Sequence, residues 1–286
     1  NIASINLITH IGPPLVVEIA HRAGIRSELE PAPALGLGAS VVTPLEMTNA
    51  FATFANGGIA LTPYTVERVE DSSGRILEGH SPSDREGMSP QLAYLTANMM
   101  KAVIQTGTGH NANRLNRPLA GKTGTSNDNR DLWFIGYTPD LAAGAWMGYD
   151  DFSSLGRNDW TGGSTVVPWW TDIMAYALQD APKRDFPAPP GIIFAVIDSE
   201  TGLLFGPYCP KRKKLLEAFA RGTEPKRYCD VDHARPVASQ LETELSVGAP
   251  GSVLPPFGDT PPPLPSEEEL EGKPGPIGEE EPSGLE

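Results

Sequence analysis

Three apolar runs joined by very short connections place the strongest limit on how this chain can fold. The runs cover residues 118–123, 132–137 and 141–149, and Pro139 lies in the second connection. Strands joined by so few residues must be antiparallel neighbours, because a parallel crossover needs about a dozen residues or more. The pattern predicts a three-stranded antiparallel meander. Residues 164–178 return to helical spacing and are predicted to pack on one face of this sheet.

Capping signals predict helices in the first half of the chain. Isoleucines at every third position between residues 2 and 11 suit one face of a helix, and a second helix is predicted over residues 15–22. Thr43 and Ser89 each precede a proline, which combines an N-cap with a favourable first helical residue. The helix after Ser89 is predicted to end at the glycines of residues 106–109.

Turn residues between short apolar segments predict two further hairpins. The first joins residues 65–69 to residues 76–77, and the second joins residues 192–197 to residues 203–205. Together these patterns predict an α+β fold with two layers, in which an antiparallel sheet is flanked by helices.

Composition limits the partners of the chain and divides it into regions. The 286 residues are 39% hydrophobic and can bury one substantial core. The net charge of -14 argues against nucleic acid as a partner. Much of it comes from the glutamates near the end: Glu267, Glu268, Glu269, Glu271, Glu279, Glu280, Glu281 and Glu286. Residues 236–286 are rich in proline, glycine and glutamate, so this tail is predicted to be disordered.

The start of the chain predicts a fragment or a processed product. The first residue is Asn1, and no targeting pattern follows it. No apolar stretch approaches the roughly 18 residues of a membrane span, so any membrane anchor is expected upstream.

The only two cysteines, Cys209 and Cys229, leave two interpretations open. In an oxidising compartment a disulfide closing this loop would contribute about 3 kcal/mol, whereas the alternative is a pair of free thiols. Two cysteines without neighbouring histidines are too few for a structural zinc site. No metal and no cofactor are expected.

The candidate site is the sequence Lys122-Thr123-Gly124-Thr125 at the end of the first predicted strand. Acyl transfer needs a cation and hydroxyl donors for a substrate carboxylate, and backbone N–H groups directed at the oxyanion. The lysine and the two threonines can provide the first two. Gly124 lets substrate backbone lie against the strand. Lys-Thr-Gly is also the third motif of β-lactamases and penicillin-binding proteins, after Ser-x-x-Lys and Ser-Asp-Asn.

The motifs around this strand resemble those of the transpeptidase domain of class A, bifunctional penicillin-binding proteins. The resemblance covers roughly residues 1–180. It is carried by residues 35–39, 43–47, 55–58, 120–128, 133–139, 146–151, 161–163 and 168–170. It implies a β-lactamase or DD-transpeptidase-like fold that is incomplete at its N-terminal side.

The resemblance implies roles for named residues. Lys122, Thr123 and Thr125 would bind the carboxylate of the substrate or of a β-lactam, and the backbone N–H near Thr125 would contribute to the oxyanion hole. The family's second motif, Ser-x-Asn, directly precedes a helix in relatives, so Asn1 is assigned as its last residue. Ser4-Ile5-Asn6 matches the letters but lies within a predicted helix and is taken as coincidence. No serine is followed three residues later by lysine, so the nucleophile is not in this chain.

The region after the sheet resembles an extension found in some class A proteins. The similar segments are residues 202–204, 208–210 and 222–225, together with Cys229. With this resemblance the disulfide Cys209–Cys229 becomes the favoured interpretation. The basic run 211–214 is interpreted as a solvated face, with contact to anionic lipid or glycan as the alternative.

The resemblance implies three regions and a function for the parent protein. Residues 1–182 would be a partial transpeptidase domain, 183–235 a hairpin extension with the cysteine pair, and 236–286 the acidic tail. The parent would be a bifunctional peptidoglycan synthase that cross-links stem peptides through a serine acyl-enzyme and binds β-lactams, whereas this chain alone would be inactive. It would act at the periplasmic face of a bacterial membrane, with other cell-wall synthesis proteins as possible partners. The alternatives are a serine β-lactamase or DD-carboxypeptidase, and a non-catalytic fragment or binding module.

Overall fold

Helices and short antiparallel strands alternate along the part of the chain that the structure describes. This structure is a computed structural model, and it describes residues 1–81, 84–157 and 159–231. The predicted tail, residues 236–286, lies outside the described residues. The helices are α1 (Ile2–Ile11), α2 (Pro13–Ala23), α3 (Pro44–Ala55), α4 (Pro90–Gln105) and α5 (Val167–Ala177). The strands are β1 (Ile59–Leu61), β2 (Arg68–Glu70), β3 (Ile76–Gly79), β4 (Asp84–Glu86), β5 (Ala120–Thr125), β6 (Asp131–Tyr137), β7 (Ala142–Gly148), β8 (Ile192–Asp198) and β9 (Lys214–Ala220).

The predicted helix starts at Thr43 and Ser89 are confirmed. The Thr43 side chain accepts a hydrogen bond from the backbone N–H of Glu46, and the Glu46 carboxylate accepts one from the backbone N–H of Thr43. This reciprocal pair satisfies donors that the first helical turn leaves open. The Ser89 hydroxyl accepts from the backbone N–H of Leu92 in the same way at the start of α4.

The predicted meander is also confirmed. Strands β5, β6 and β7 form one antiparallel sheet in that order. Lys122 pairs with Ile135, Thr123 with Phe134, and Gly124 with Trp133. Because directly opposed residues share a sheet face, this register determines which side each motif residue occupies.

One face of the meander packs against α5. The Phe134 ring meets the Trp170 ring edge to face, with centroids 4.7 Å apart, and the indole N–H of Trp170 donates to the carbonyl of Ala143 at 2.9 Å. The helical segment begins earlier than predicted, because a π-helical turn, Gly162–Val166, leads directly into α5.

The opposite face of the meander packs against α3 and α4. Tyr137 contacts Phe51 and Phe186, with ring centroids 6.2 and 5.6 Å apart, and its hydroxyl donates to the sulfur of Met100. On the same face, a Cβ on Gly144 would lie 2.0 Å from the hydroxyl of Thr48. The sheet is therefore covered by helices on both faces, as the α+β prediction requires.

The hairpin predictions had mixed outcomes. Strands β2 and β3 form the first predicted hairpin, although β2 is shorter and β3 longer than the predicted segment. The second predicted hairpin forms over a short stretch only, where the N–H of Phe205 donates to the carbonyl of Val196. The main partner of β8 is β9, which pairs with it along its whole length and was not predicted. Residues 203–205 contribute an isolated bridge between Leu204 and Ile197. The turn after Asp198 does form, but the chain then leaves the sheet and returns at Lys214.

Among the described residues, no helix by itself has the length and apolar composition of a membrane span. Helices α1 and α2 reach that length and composition only as a pair, and they are bent by 91° relative to each other.

Candidate active site

The Lys122-Thr123-Gly124-Thr125 sequence lies in β5, an edge strand of its sheet among the described strands. Thr123 lies opposite Phe134 and so projects toward the α5 face, whereas Lys122 lies opposite Ile135 and projects toward the α3 face. The Lys122 ammonium and the Thr123 hydroxyl therefore lie on opposite faces of one strand edge. A peptide bound along this edge would lie between the cation and the hydroxyl group.

The Lys122 ammonium is held at the strand, with its Nζ donating to the carbonyl of Thr123 at 2.7 Å. Desolvation by burial lowers the pKa of Lys122 below its ordinary value, because a low-dielectric environment disfavours the charged form. The side chain still reaches solvent. A carboxylate that binds there would stabilise the charged ammonium and so offset part of the solvation that the ammonium loses on burial.

The two threonine hydroxyls are oriented by neighbouring loops. The Thr125 Oγ1 accepts from the backbone N–H of Gly162 at 3.0 Å. The Thr123 Oγ1 lies 2.6 Å from the Oγ1 of Thr108, and either hydroxyl could be the donor. Both hydroxyls are therefore positioned before any ligand binds.

Glycines allow the π-helical turn to cross β5 in close contact. A Cβ on Gly162 would lie 2.4 Å from the carbonyl oxygen of Trp133 and 2.7 Å from that of Gly124. A Cβ on Gly163 would lie 2.5 Å from the carbonyl oxygen of Thr108. The turn can pack against the motif strand at Gly162 and against Thr108 at Gly163 only because both positions lack a side chain.

The loop after β5 is braced by side-chain hydrogen bonds. The Ser126 hydroxyl accepts from the backbone N–H of Asp131 at 2.7 Å, and the Asp131 carboxylate accepts from the indole N–H of Trp146 at 2.9 Å. These bonds tie the end of the motif strand to β6 and β7, and so fix the backbone around Thr125.

Asn1 takes no part in this group of hydrogen bonds among the described residues. It is the exposed N-cap residue of α1, and no described side-chain hydrogen bond links it to the motif strand. Ser4, Ile5 and Asn6 lie inside α1, as expected for a coincidental match. The assignment of Asn1 to the Ser-x-Asn motif stays a prediction.

Sequence reasoning missed two contributors to the site, Thr108 and Gly162. The glycines around Thr108 indicated only the end of α4, and the Thr161-Gly162-Gly163 motif pointed to the family without indicating a contact. In both cases the signal was a small or hydroxyl residue next to glycine, which does not identify its partner in space.

The extension places both cysteines in one buried cluster with Asp198. All three are buried, and their donor atoms lie within 4.8 Å of one another. The two cysteines are not joined by a disulfide in this structure. The Asp198 Oδ1 accepts from the backbone N–H groups of Glu200 and Thr201 at 3.1 and 3.0 Å, which holds the turn after β8. The disulfide stays a prediction, and the involvement of Asp198 was not foreseen.

The fold and the motif strand define a class of protein, an α+β domain with a Lys-Thr-Gly-Thr sequence on an edge strand of its antiparallel sheet. The chain belongs to the penicillin-binding protein transpeptidase domain family, whose model matches residues 22–165. A second model, the penicillin-binding protein 1A C-terminal domain, matches residues 188–234.

Similar proteins are much longer than this chain. It is 34% identical over 229 residues to penicillin-binding protein 1A of Aquifex aeolicus (strain VF5), covering 80% of the chain and 31% of that protein. It is 35% identical over 237 residues to penicillin-binding protein 2D of Bacillus subtilis (strain 168), covering 80% and 33%. The chain thus spans about a third of the length of these relatives.

Solved structures show the same fold. The crystal structure of penicillin-binding protein 1A from Haemophilus influenzae aligns with a TM-score of 0.71 at 29% identity, covering 80% of this chain and 39% of that chain. The penicillin-binding protein PonA1 from Mycobacterium tuberculosis aligns with a TM-score of 0.57 at 25% identity, covering 62% and 55%.

Proposed function

We propose that this chain is the substrate-holding part of a peptidoglycan DD-transpeptidase, the enzyme that cross-links stem peptides and is acylated by β-lactams. The observation that carries the proposal is the geometry of β5. At this edge strand the Lys122 ammonium lies on one sheet face and the hydrogen-bonded hydroxyls of Thr123 and Thr125 lie on the other, so that together they would hold a carboxylate at the strand edge. The match to the transpeptidase family gives this geometry its chemical context.

In the proposed mechanism, this chain binds the substrate and another part of the parent protein supplies the nucleophile. Lys122 and the two threonines bind the terminal carboxylate of a D-Ala-D-Ala stem peptide, or the carboxylate of a β-lactam. The backbone N–H near Thr125 stabilises the oxyanion that forms when a serine attacks the carbonyl carbon. The serine becomes acylated and the terminal D-alanine leaves. An amine from a second stem peptide then takes the acyl group.

The serine nucleophile and its lysine base are proposed to lie in a part of the parent protein outside this chain. No serine among the 286 residues has a lysine three positions later, and the chain covers only about a third of the similar proteins. A site that binds carboxylates but has no nucleophile cannot form an acyl-enzyme. We therefore expect the isolated chain to be inactive.

The proposal also includes the domain boundaries, the disulfide and the location of the parent protein. Residues 1–182 would form part of the transpeptidase domain and residues 183–235 the extension, with Cys209 and Cys229 joined by a disulfide. The parent would act at the extracytoplasmic face of a bacterial membrane, with its anchor and a glycosyltransferase domain upstream. The extension match at residues 188–234 and the short distance between the two thiols support this arrangement.

Labelling with a fluorescent penicillin tests the proposal. The parent protein is expected to take up one label per molecule, and the label should survive denaturing electrophoresis without fast turnover. The isolated 286-residue chain is expected to take up none. Rapid release of hydrolysed penicillin would indicate a β-lactamase instead, and a stoichiometric label on the isolated chain would refute the missing-nucleophile argument.

A further inference from the structure

The hydroxyl of Thr108 makes the shortest side-chain contact with the motif strand that the structure describes. Its Oγ1 lies 2.6 Å from the Oγ1 of Thr123, at the short end of O–H···O hydrogen bonds. Thr108 lies between α4 and the 3-10 turn His110–Leu115, so it is separated from β5 in the sequence. The contact joins a loop to a residue whose own hydroxyl is expected to meet the substrate.

The backbone around Thr108 is fixed from two sides. On one side, the N–H of Gly107 donates to Ala102 and the N–H of Gly109 donates to Val103, at 3.1 and 3.0 Å. On the other, Gly163 packs so closely that a Cβ there would lie 2.5 Å from the Thr108 carbonyl oxygen. These contacts hold the Thr108 backbone in the position from which its hydroxyl meets that of Thr123.

The number of available hydrogens determines which threonine donates to the other when a carboxylate binds. A threonine hydroxyl has one hydrogen and two lone pairs, whereas a carboxylate only accepts. If Thr123 donates to Thr108, it has no hydrogen for the ligand. If Thr108 donates to Thr123, the hydrogen of Thr123 is free for the carboxylate, and each bond polarises the next. Binding selects the second arrangement.

We propose that Thr108 is a positioning residue for the acyl donor, donating to Thr123 so that the Thr123 hydroxyl donates to the substrate carboxylate. Thr108 does not touch the substrate in this arrangement. Its role rests on the proposed function, because it requires a carboxylate ligand at β5.

A double-mutant cycle on the parent protein tests the proposal. Thr108→Val keeps the shape of the side chain and removes the hydroxyl. Thr108→Ser keeps the hydroxyl and is the rescue variant. Thr106→Val is the matched control, since that exposed threonine bonds only to the carbonyl of Ala102 in its own helix among the described residues. The measured quantity is the second-order rate constant of acylation by benzylpenicillin.

We expect the effects of Thr108→Val and Thr123→Val on the acylation rate constant to be non-additive, because the two hydroxyls act together. Thr108→Val should slow acylation by about fivefold, the effect of one hydrogen bond, while Thr108→Ser and Thr106→Val stay within about twofold of wild type. In a Thr123→Val background, Thr108→Val should have no further effect. An equal loss in both backgrounds would show that Thr108 acts elsewhere, and no loss in the wild-type background would show that it has no role. Either outcome overturns the proposal.

Failure of the proposed function gives a different result. If the wild-type parent protein is not acylated at all, the transpeptidase proposal and the role of Thr108 are both refuted. If the wild type is acylated and Thr108→Val behaves like it, only the role of Thr108 is refuted. Unchanged thermal unfolding of Thr108→Val, expected for an exposed side chain, separates positioning from folding.

Discussion

Gly162 is a position at the candidate site where the structure predicts a large effect of adding a single methyl group. The alanine Cβ would lie 2.4 Å from the carbonyl oxygen of Trp133, whereas a relaxed carbon–oxygen contact is about 3.3 Å. The π-helical turn must therefore move away from β5 by about 0.9 Å. Overpacking of this kind costs about 1–3 kcal/mol, and loss of the Gly162 N–H bond to Thr125 adds about 1 kcal/mol.

Urea unfolding followed by tryptophan fluorescence measures this effect directly. All five tryptophans lie between Trp133 and Trp170, so the signal reports on the sheet and α5. With a urea dependence of about 2 kcal/mol per M, Gly162→Ala should lower the midpoint by about 1 M or more. Gly79→Ala is the control, because a Cβ there meets only a side-chain methyl at 3.7 Å. Equal midpoints for the two variants would refute the close-packing argument.

Three further predictions concern the cap of α3, the cysteine pair and the lysine. Hydrogen bonds from Ser27 and Thr43 lower the pKa of Glu46 from 4.5 to about 2, so its stabilisation is present above pH 4.5 and lost as the pH falls to 2. Glu46→Gln should therefore cost about 1 kcal/mol at pH 7 and little at pH 2, and a pH-independent difference in unfolding free energy would contradict this. Thiol titration of the denatured, unreduced parent protein should find Cys209 and Cys229 oxidised, and two reactive thiols would rule out the disulfide. Lys122→Met should slow penicillin acylation of the parent by at least about tenfold, because a charged hydrogen bond to the carboxylate is lost, and an unchanged rate would remove Lys122 from the site.

The parts of the fold that local sequence patterns could predict are those whose hydrogen bonds are local. The caps at Thr43 and Ser89 bond within three residues, and the meander follows from connections too short for any other pairing. The pairing of β8 with β9 could not be predicted in this way. Strand β9 begins at Lys214 within a basic run that resembles a solvated face, while Leu204, which does bridge to Ile197, offered a nearer apolar segment.

The site could be predicted as a motif but not as a set of contacts. Lys122 and the two threonines followed from residue type and from the resemblance to a family. The approach of Thr108 to Thr123 and of Asp198 to the cysteines depends on tertiary packing between distant segments. Glu46 likewise bonds to Ser27, 19 residues earlier, which no helix-capping pattern specifies.

The central claim is that β5 holds the acyl donor of a cross-linking enzyme, and analysis of reaction products from the parent protein tests it most directly. Supplied with peptidoglycan strands carrying D-Ala-D-Ala stem peptides, the wild-type parent is expected to release D-alanine and to form cross-linked stem-peptide dimers, and Lys122→Met is expected to lose both. Release of D-alanine without dimers would identify a carboxypeptidase. Dimer formation that is unaffected by Lys122→Met would contradict the role assigned to this strand.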